Sequence, residues 1–464
     1  MKAIRKYHFI GIGGTGMSSL AYLMSKSGAA VTGSDRLLDG QRDNELFGKM
    51  RSFGIKLYPQ DGSGLGVTPD AVIASPAIEE SNPDLTLARE LGLRILKRAE
   101  FLISLTGEKK AVGIAGTSGK STITAMTAHI MIQSGHDPTI VIGACMRNYE
   151  TADDPGNSRL GRSPWFILEV DESDGWITKY RCHTALVSNI KKDHKEMDEL
   201  KRLFRAFLTN ATDTIIVNAD SPLLEEVVPG DKNIVTYALR GNASFRPSAV
   251  SLGPDGSQFT LHGQAFRIRQ QGKHNLSNAL AAIAVARSVG IPMNGIAGAL
   301  DTFVGLRRRM EIVGTAGGIT VIDDFAHNPS KIRAALDATH LLGKRRIVIY
   351  QPHGYGPTLF LKDELIEAFS NSLSSNDYLF ILDIYYAGGT ARKEIMSDDL
   401  VREIARSIPN TFRPPSRREL IRLIAGIAAE EDVIMVLGAR DRSLSTLAKS
   451  IFEEIKSKNK PQRR

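Results

Sequence analysis

Strand-length apolar runs recur along the chain with helical patterns between them. In the first hundred residues YHFIGI gives way to a helical stretch from about Met17 to Ser27, then AAVTGSD, and later AVIAS and LRILKR. This rhythm predicts a parallel sheet with crossover helices. A second start comes at KKAVGIAG, followed by WFILEVDES, TALVSNI and DTIIVN with helical patterns between them. The stretch SFRPSAVSLGPDGSQFTLHGQAFRIRQQG is richer in turn residues and alternation, and predicts antiparallel strands at the edge of that unit. A third start is GITVIDDFAHNPSKIRAALDA, followed by RRIVIYQPHG, YLFILDIYYAG and DVIMVLGARD. The expected fold is α/β in three domains: a Rossmann-like parallel sheet over 1–106, a central P-loop ATPase-type domain over 107–312, and a Rossmann-like domain over 313–464.

Composition narrows the class of protein. With 464 residues, 42% hydrophobic and 24% charged, the chain has the make-up of an ordinary globular protein. No apolar run approaches the ~20 residues that cross a bilayer, and MKAIRKYHFIGIGG passes into a strand without a small-residue cleavage site, so the expectation is a cytoplasmic protein with no membrane partner. Cys145 and Cys182 lack paired spacing and read as structural. The net charge is +8, but five of the basic residues lie in the last nine positions, and no basic stripe is interleaved with aromatics, so no nucleic-acid partner is expected.

Two glycine-rich turns carry the candidate chemistry. In HFIGIGGTGM, Gly11, Gly13, Gly14 and Gly16 follow a strand and open a helix, where a diphosphate approaches backbone N–H groups and a Cβ would collide. The acidic residue expected after the second strand is Asp35. This geometry binds a nicotinamide or flavin dinucleotide or the diphosphate of a UDP-sugar alike. In GIAGTSGKST, Gly116, Thr117, Ser118 and Gly119 lead into Lys120, Ser121 and Thr122. That is a triphosphate loop, with backbone donors around the phosphates, Lys120 as a point charge on the β and γ groups, and the Ser121 hydroxyl placed for Mg. Glu169 ends the strand WFILEV and His194 follows TALVSNI, so both fall where strands deliver ligands to such a loop, and the two could share a divalent ion.

Downstream, GKHNLSNALAA places Asn275 and Asn278 on one helical face, as adenine-edge readers or as an N-cap and a surface amide. GLRRRME gathers Arg307, Arg308 and Arg309, a solvated face or a charge clamp. DDFAHNP brings Asp323, Asp324 and His327 out at a strand end.

Taken in order, HFIGIGGTGM, VTGSD, ASPAI, KRAEFL, EVDESD, the NI-to-DH stretch, GKHNLSNA, DDFAHNP and YQPH resemble the Mur ligase family across essentially the whole chain. The resemblance implies that Gly11, Gly13, Gly14, Thr15, Gly16, Met17, Asp35 and Ser75 serve a UDP-sugar while the second loop serves ATP. It implies a catalytic set of Lys120, Glu169, His194 and Arg309. Mg would rest on Ser121, Glu169 and His194. Arg309 would reach the γ-phosphate, Asp324 the ribose, and Asn275 and Asn278 the adenine; His327, His353 and Tyr355 would line an amino-acid pocket. The activity implied is amide bond formation between the carboxylate of UDP-N-acetylmuramate and L-alanine or another small amino acid, through an acyl phosphate, by a monomer or weak homodimer. A preformed tripeptide is the alternative acceptor. A nicotinamide-dependent dehydrogenase would leave Lys120, Glu169 and Arg309 idle. The chain departs from the alanine-adding pattern at Ser118, where His is usual, and at QPHGYGPT, where Gly354 and Pro357 replace arginines; Arg392 and Lys393 are the nearby cations.

Overall fold

A computed structural model describes residues 5–39, 45–107, 109–173, 175–191, 195–230, 232–386 and 392–459. The first sheet consists of β1 (Lys6–Ile10), β2 (Ala30–Ser34), β3 (Lys56–Tyr58), β4 (Ala71–Ala74) and β5 (Ile95–Lys97), in the order β3-β2-β1-β4-β5. All its pairings are parallel, with helices carrying the chain back between strands. The predicted first helix runs from Thr15 to Lys26 and buries Met17, Leu20, Leu23 and Met24.

The second sheet has β6 (Lys110–Ala115), β7 (Thr139–Val141), β8 (Ser158–Arg159), β9 (Trp165–Glu169), β10 (Thr184–Val187), β11 (Thr214–Asn218) and β12 (Asn233–Tyr237). Its order is β12-β11-β10-β6-β9-β7-β8, and only the β7–β8 pair at one edge is antiparallel. Strand β6 is central and covered on both faces, which is why KAVGIA reads as a continuous apolar run rather than an alternating one. Packing over it is tight, since a Cβ on Gly113 would lie 2.4 Å from Cys182 Sγ. Burial pushes the Cys182 thiol up to about 12, as suits a structural residue.

The turn-rich stretch forms a three-stranded sheet of β13 (Ser248–Gly253), β14 (Gly256–Leu261) and β15 (Gln264–Ile268). The last sheet holds β16 (Glu311–Ala316), β17 (Ile319–Asp324), β18 (Arg345–Gln351), β19 (Tyr378–Ile381), β20 (Thr411–Phe412) and β21 (Asp432–Gly438), ordered β16-β17-β21-β18-β19-β20. Only the β16–β17 pair is antiparallel, and every residue of the central β21 is buried.

By internal packing the chain divides into two compact units: 1–248 with 260–266 and 277–304, and 249–259 with 267–276 and 305–464. The first unit therefore carries both of the first two sheets. One apolar cluster runs through both, and polar contacts also join them: Ser19 Oγ donates to the Ile142 carbonyl at 2.7 Å, Lys26 pairs with Asp154 at 2.7 Å, and Arg98 lies 3.8 Å from Asp171. Among the described residues no helix is long and apolar enough to cross a membrane.

Candidate active site

The first glycine turn follows β1 directly. Gly11 and Ile12 donate their N–H groups to the Ser34 carbonyl at 2.8 and 3.0 Å, which pins the turn to the end of β2. Asp35 accepts the Gly13 N–H on Oδ2 at 2.8 Å, so this carboxylate braces the turn. Thr15 is exposed at the start of the helix, Ser75 is half-buried at the end of β4, and Met17 is buried in the core. A Cβ on Gly16 would lie 2.7 Å from Arg98 Nη1, so the guanidinium that reaches Asp171 also flanks this turn.

The second turn is held from behind. Thr117 spends its hydroxyl on the Lys191 backbone, accepting the N–H at 3.0 Å and donating to the carbonyl at 3.1 Å, while its own N–H goes to the Asn189 carbonyl at 3.1 Å. Asn189 accepts the Ser118 N–H at 3.1 Å and donates to the Ser118 carbonyl at 2.9 Å. Thr117 thus acts as a brace, and the donors left facing outward are those of the helix start at Lys120, Ser121 and Thr122, whose N–H groups have no intrahelical acceptors. Gly119 has φ +90°, and a Cβ there would meet Asn278 Oδ1 at 2.5 Å, so no other residue fits comfortably.

Parallel pairing sets the acidic partners beside this turn, with Ile114 of β6 in register with Glu169 of β9. Glu169 accepts the Ser121 hydroxyl at 3.0 Å and the Gly143 N–H at 3.1 Å. The Lys120 ammonium donates to the Gly116 carbonyl and to Glu172 Oε2, each at 2.8 Å. Burial alone would lower its pKa, but Glu172, then Asp171 and Glu169, raise it above the ordinary lysine range, so Lys120 stays cationic. Ser121 Oγ and Glu169 are hard oxygen donors of the kind Mg takes, and Ser118 Oγ is buried without a hydrogen-bond partner among the described residues. Among those residues no group of three or more His, Cys, Asp or Glu side chains converges as a metal site, and His194 lies outside them. An ion here would lean on phosphate and water oxygens as well as the protein, the usual situation for Mg.

Asn275 and Asn278 lie three residues apart in the helix Lys273–Ser288, and both are buried. Asn278 is buried against the second glycine turn, which corrects the surface-amide alternative, and Asn275 donates its amide to the Gln271 carbonyl at 2.9 Å.

In the second unit, functional groups collect at the C-terminal ends of β17 and β18. Both Asp324 oxygens are occupied by backbone, Oδ2 by the Met310 N–H at 2.6 Å and Oδ1 by the Ala326 N–H at 2.7 Å. Burial raises its pKa, and Arg309 opposes that rise. The arginine triplet divides: Arg307 is exposed and pairs with Glu311, Arg308 is bound to Asp323 and the Gly438 carbonyl, and Arg309 lies over the Phe325 ring at 5.0 Å. His327 Nδ1 is 2.9 Å from the Phe325 carbonyl, and an acceptor-only partner fixes the proton there. Its pKa falls well below the ordinary value because the ring is buried and Lys331 stands nearby, so Nε2 keeps a free lone pair at neutral pH. His353 stands perpendicular to it, with ring centroids 5.8 Å apart. Tyr355 is buried against Tyr386, and Lys393 Nζ lies 5.8 Å from the centre of the Tyr355 ring, whereas the Arg392 side chain is 89% exposed and its ion-pair partner is Glu394.

Family models match three consecutive segments: the Mur ligase catalytic domain over 6–110, the Mur ligase middle domain over 114–286, and the Mur ligase glutamate ligase domain over 308–440. A UDP-N-acetylmuramate–L-alanine ligase from Pelotomaculum thermopropionicum is 34% identical over 452 residues, covering 94% of this chain and 95% of that protein. This chain belongs to the Mur ligase family. Its fold is shared with the UDP-N-acetylmuramate–alanine ligase of Thermotoga maritima, at a TM-score of 0.81 and 24% identity over 98% of this chain and 99% of that one. A murein peptide ligase from Psychrobacter arcticus aligns at a TM-score of 0.71 and 22% identity over 97% and 99% of the two chains. As a Mur ligase the protein is an ATP-dependent enzyme.

Sequence reasoning missed several residues that the structure places beside the two glycine turns. Glu172 and Asp171 stand in the same EVDESD run as Glu169, Arg98 lies in KRAEFL, and Asn189 opens the NI stretch. The signal for the first two was an acidic run longer than one metal ligand requires. Nothing local marked Asn189, whose amide acts on a turn about seventy residues earlier.

Proposed function

We propose that this ligase joins the carboxylate of UDP-N-acetylmuramate to L-alanine with hydrolysis of ATP to ADP and phosphate. One observation carries the assignment of substrates to loops: two separately braced phosphate-type turns lie in one compact unit, and Arg98 flanks one while facing the acidic run beside the other. The reading gives the first turn to the diphosphate of the UDP-sugar, with Asp35 holding the backbone shape that receives it. It gives the helix start at Lys120 to the triphosphate.

The muramyl carboxylate oxygen attacks the γ-phosphorus and ADP leaves, forming an acyl phosphate. The amine then attacks the acyl carbon, the tetrahedral intermediate expels phosphate, and the amine loses a proton. Lys120 and the helix N-terminus stabilise charge on the transferring group. Ser121 and Glu169, with His194, would hold Mg, which would supply charge neutralisation to the phosphates. His327, unprotonated on Nε2, offers a hydrogen-bond acceptor to an N–H of the incoming amine. Asp324 shapes the turn carrying Arg309, whatever contact it makes with ribose.

A second acceptor class is favoured by one stretch. Gly354 and Pro357 bring no cation to the His353 turn, and Tyr355 and Tyr386 line it with ring surface, which suits an acceptor longer than alanine. Phosphate release from ATP with UDP-N-acetylmuramate, tested with L-alanine and with a murein tripeptide, decides between them. Calorimetric titration with UDP-N-acetylmuramate and with NAD tests the first turn, and NAD binding without UDP-sugar binding removes the ligase assignment of that turn.

A further inference from the structure

The carboxylate that ends β9 and the two that follow it have separate partners. Glu169 receives the Ser121 hydroxyl and the Gly143 N–H, while Asp171 receives the Ser173 N–H at 3.0 Å and faces Arg98. Glu172 is the one hydrogen-bonded to Lys120 among the described residues. An ammonium has three donors, and here one goes to Glu172 and one to the Gly116 carbonyl of its own turn. Among the described residues nothing accepts the third, which is left for a ligand.

Glu172 is 5% exposed, so its charge has been taken out of water. A buried ion pair of this kind adds little net stability over apolar packing of the same volume, so stability is a poor reason for it. Orientation is a better one. A lysine carries its charge on a flexible four-carbon stem, and freedom left in that stem must be lost when the charge is needed at one point.

We propose that Glu172 is the positioning residue of the phosphate-loop lysine: together with the Gly116 carbonyl it fixes two of the ammonium's three donors and aims the third at the transferring phosphoryl group. This rests on the ligase reading above. Glu169 cannot take over the role, because both its oxygens are engaged by Ser121 and Gly143.

The test is a cycle of Glu172→Gln and Lys120→Ala, alone and combined, read as single-turnover phosphate release from labelled ATP with excess enzyme. Binding of UDP-N-acetylmuramate serves as the check that each variant is folded. With Lys120 present, Glu172→Gln lowers the rate roughly ten- to a hundredfold, the worth of one charge-assisted hydrogen bond, with the KM for ATP changed less than about threefold. With Lys120 already removed, Glu172→Gln causes no further loss, since the residue it positions is gone. Equal fold-losses in both backgrounds, or a loss below about threefold with Lys120 present, overturn the proposal. If the wild-type enzyme releases no phosphate with these substrates, the ligase reading is what has failed. The same cycle is then read as affinity for a non-hydrolysable ATP analogue: a Glu172→Gln effect that differs at least about tenfold between backgrounds supports the lysine pairing, and equal effects overturn it.

Discussion

The Gly13 N–H donates to Asp35 Oδ2 at 2.8 Å, and a Cβ on Gly13 would sit 2.7 Å from that same oxygen. The carboxylate and the absent side chain therefore define the first turn jointly. Gly13→Ala forces Asp35 away and should raise the KM for UDP-N-acetylmuramate by roughly tenfold or more, while Asp35→Asn, which keeps an acceptor oxygen, should do less. Steady-state kinetics with each substrate varied in turn checks this. A matching rise in the KM for ATP would contradict the assignment of that turn to the sugar nucleotide.

Lys120→Ala should reduce phosphate release by at least about a thousandfold while leaving UDP-N-acetylmuramate affinity within a few-fold of wild type, because the two turns are built from different sheets. Calorimetry on the variant reports the second half. Parallel loss of both activities would mean that one ligand spans both turns.

The proposed acceptor end offers two cations of different placement. Lys393 reaches the Tyr355 ring, whereas Arg392 stands in solvent beside Glu394. Lys393→Ala should raise the KM for the amine roughly tenfold or more with the KM for ATP unchanged, and Arg392→Ala should leave both unchanged. Unchanged amine kinetics in both variants would send the acceptor carboxylate to another residue.

Acid sensitivity follows from His129, buried between the Tyr149 hydroxyl at 2.7 Å and Thr302 Oγ1 at 2.9 Å. Burial lowers its pKa from 6.5 to about 4. Between those values the unfolded chain binds a proton that the native state refuses, so stability is undiminished above pH 6.5 and falls as the pH drops toward 4. The loss is roughly 2–4 kcal/mol for a shift of this size. Denaturant titrations at pH 7 and pH 4.5 should show that slope reduced in His129→Gln. An unaltered slope would assign the acid sensitivity to other groups.

Much of this protein was determined by sequence alone, because the signals are local. Continuous apolar runs such as KAVGIA and DVIMVLG are demanded by strands buried on both faces, and glycine is demanded at Gly13 by space and at Gly119 by space and φ together. The strand–turn–helix order around Lys120 and the nearness of Ser121 to Glu169 were legible for the same reason: a parallel sheet brings successive strand ends to one edge. Only the tertiary structure decided how each polar group is spent. It gave Asp35 to a backbone N–H, Thr117 to the Lys191 backbone, Asp324 to Met310 and Ala326, and Lys120 to Glu172 rather than to its other acidic neighbours. A hydrogen bond depends on a few tenths of an ångström between residues far apart in the chain, and the pattern of apolar and polar positions carries no such distance.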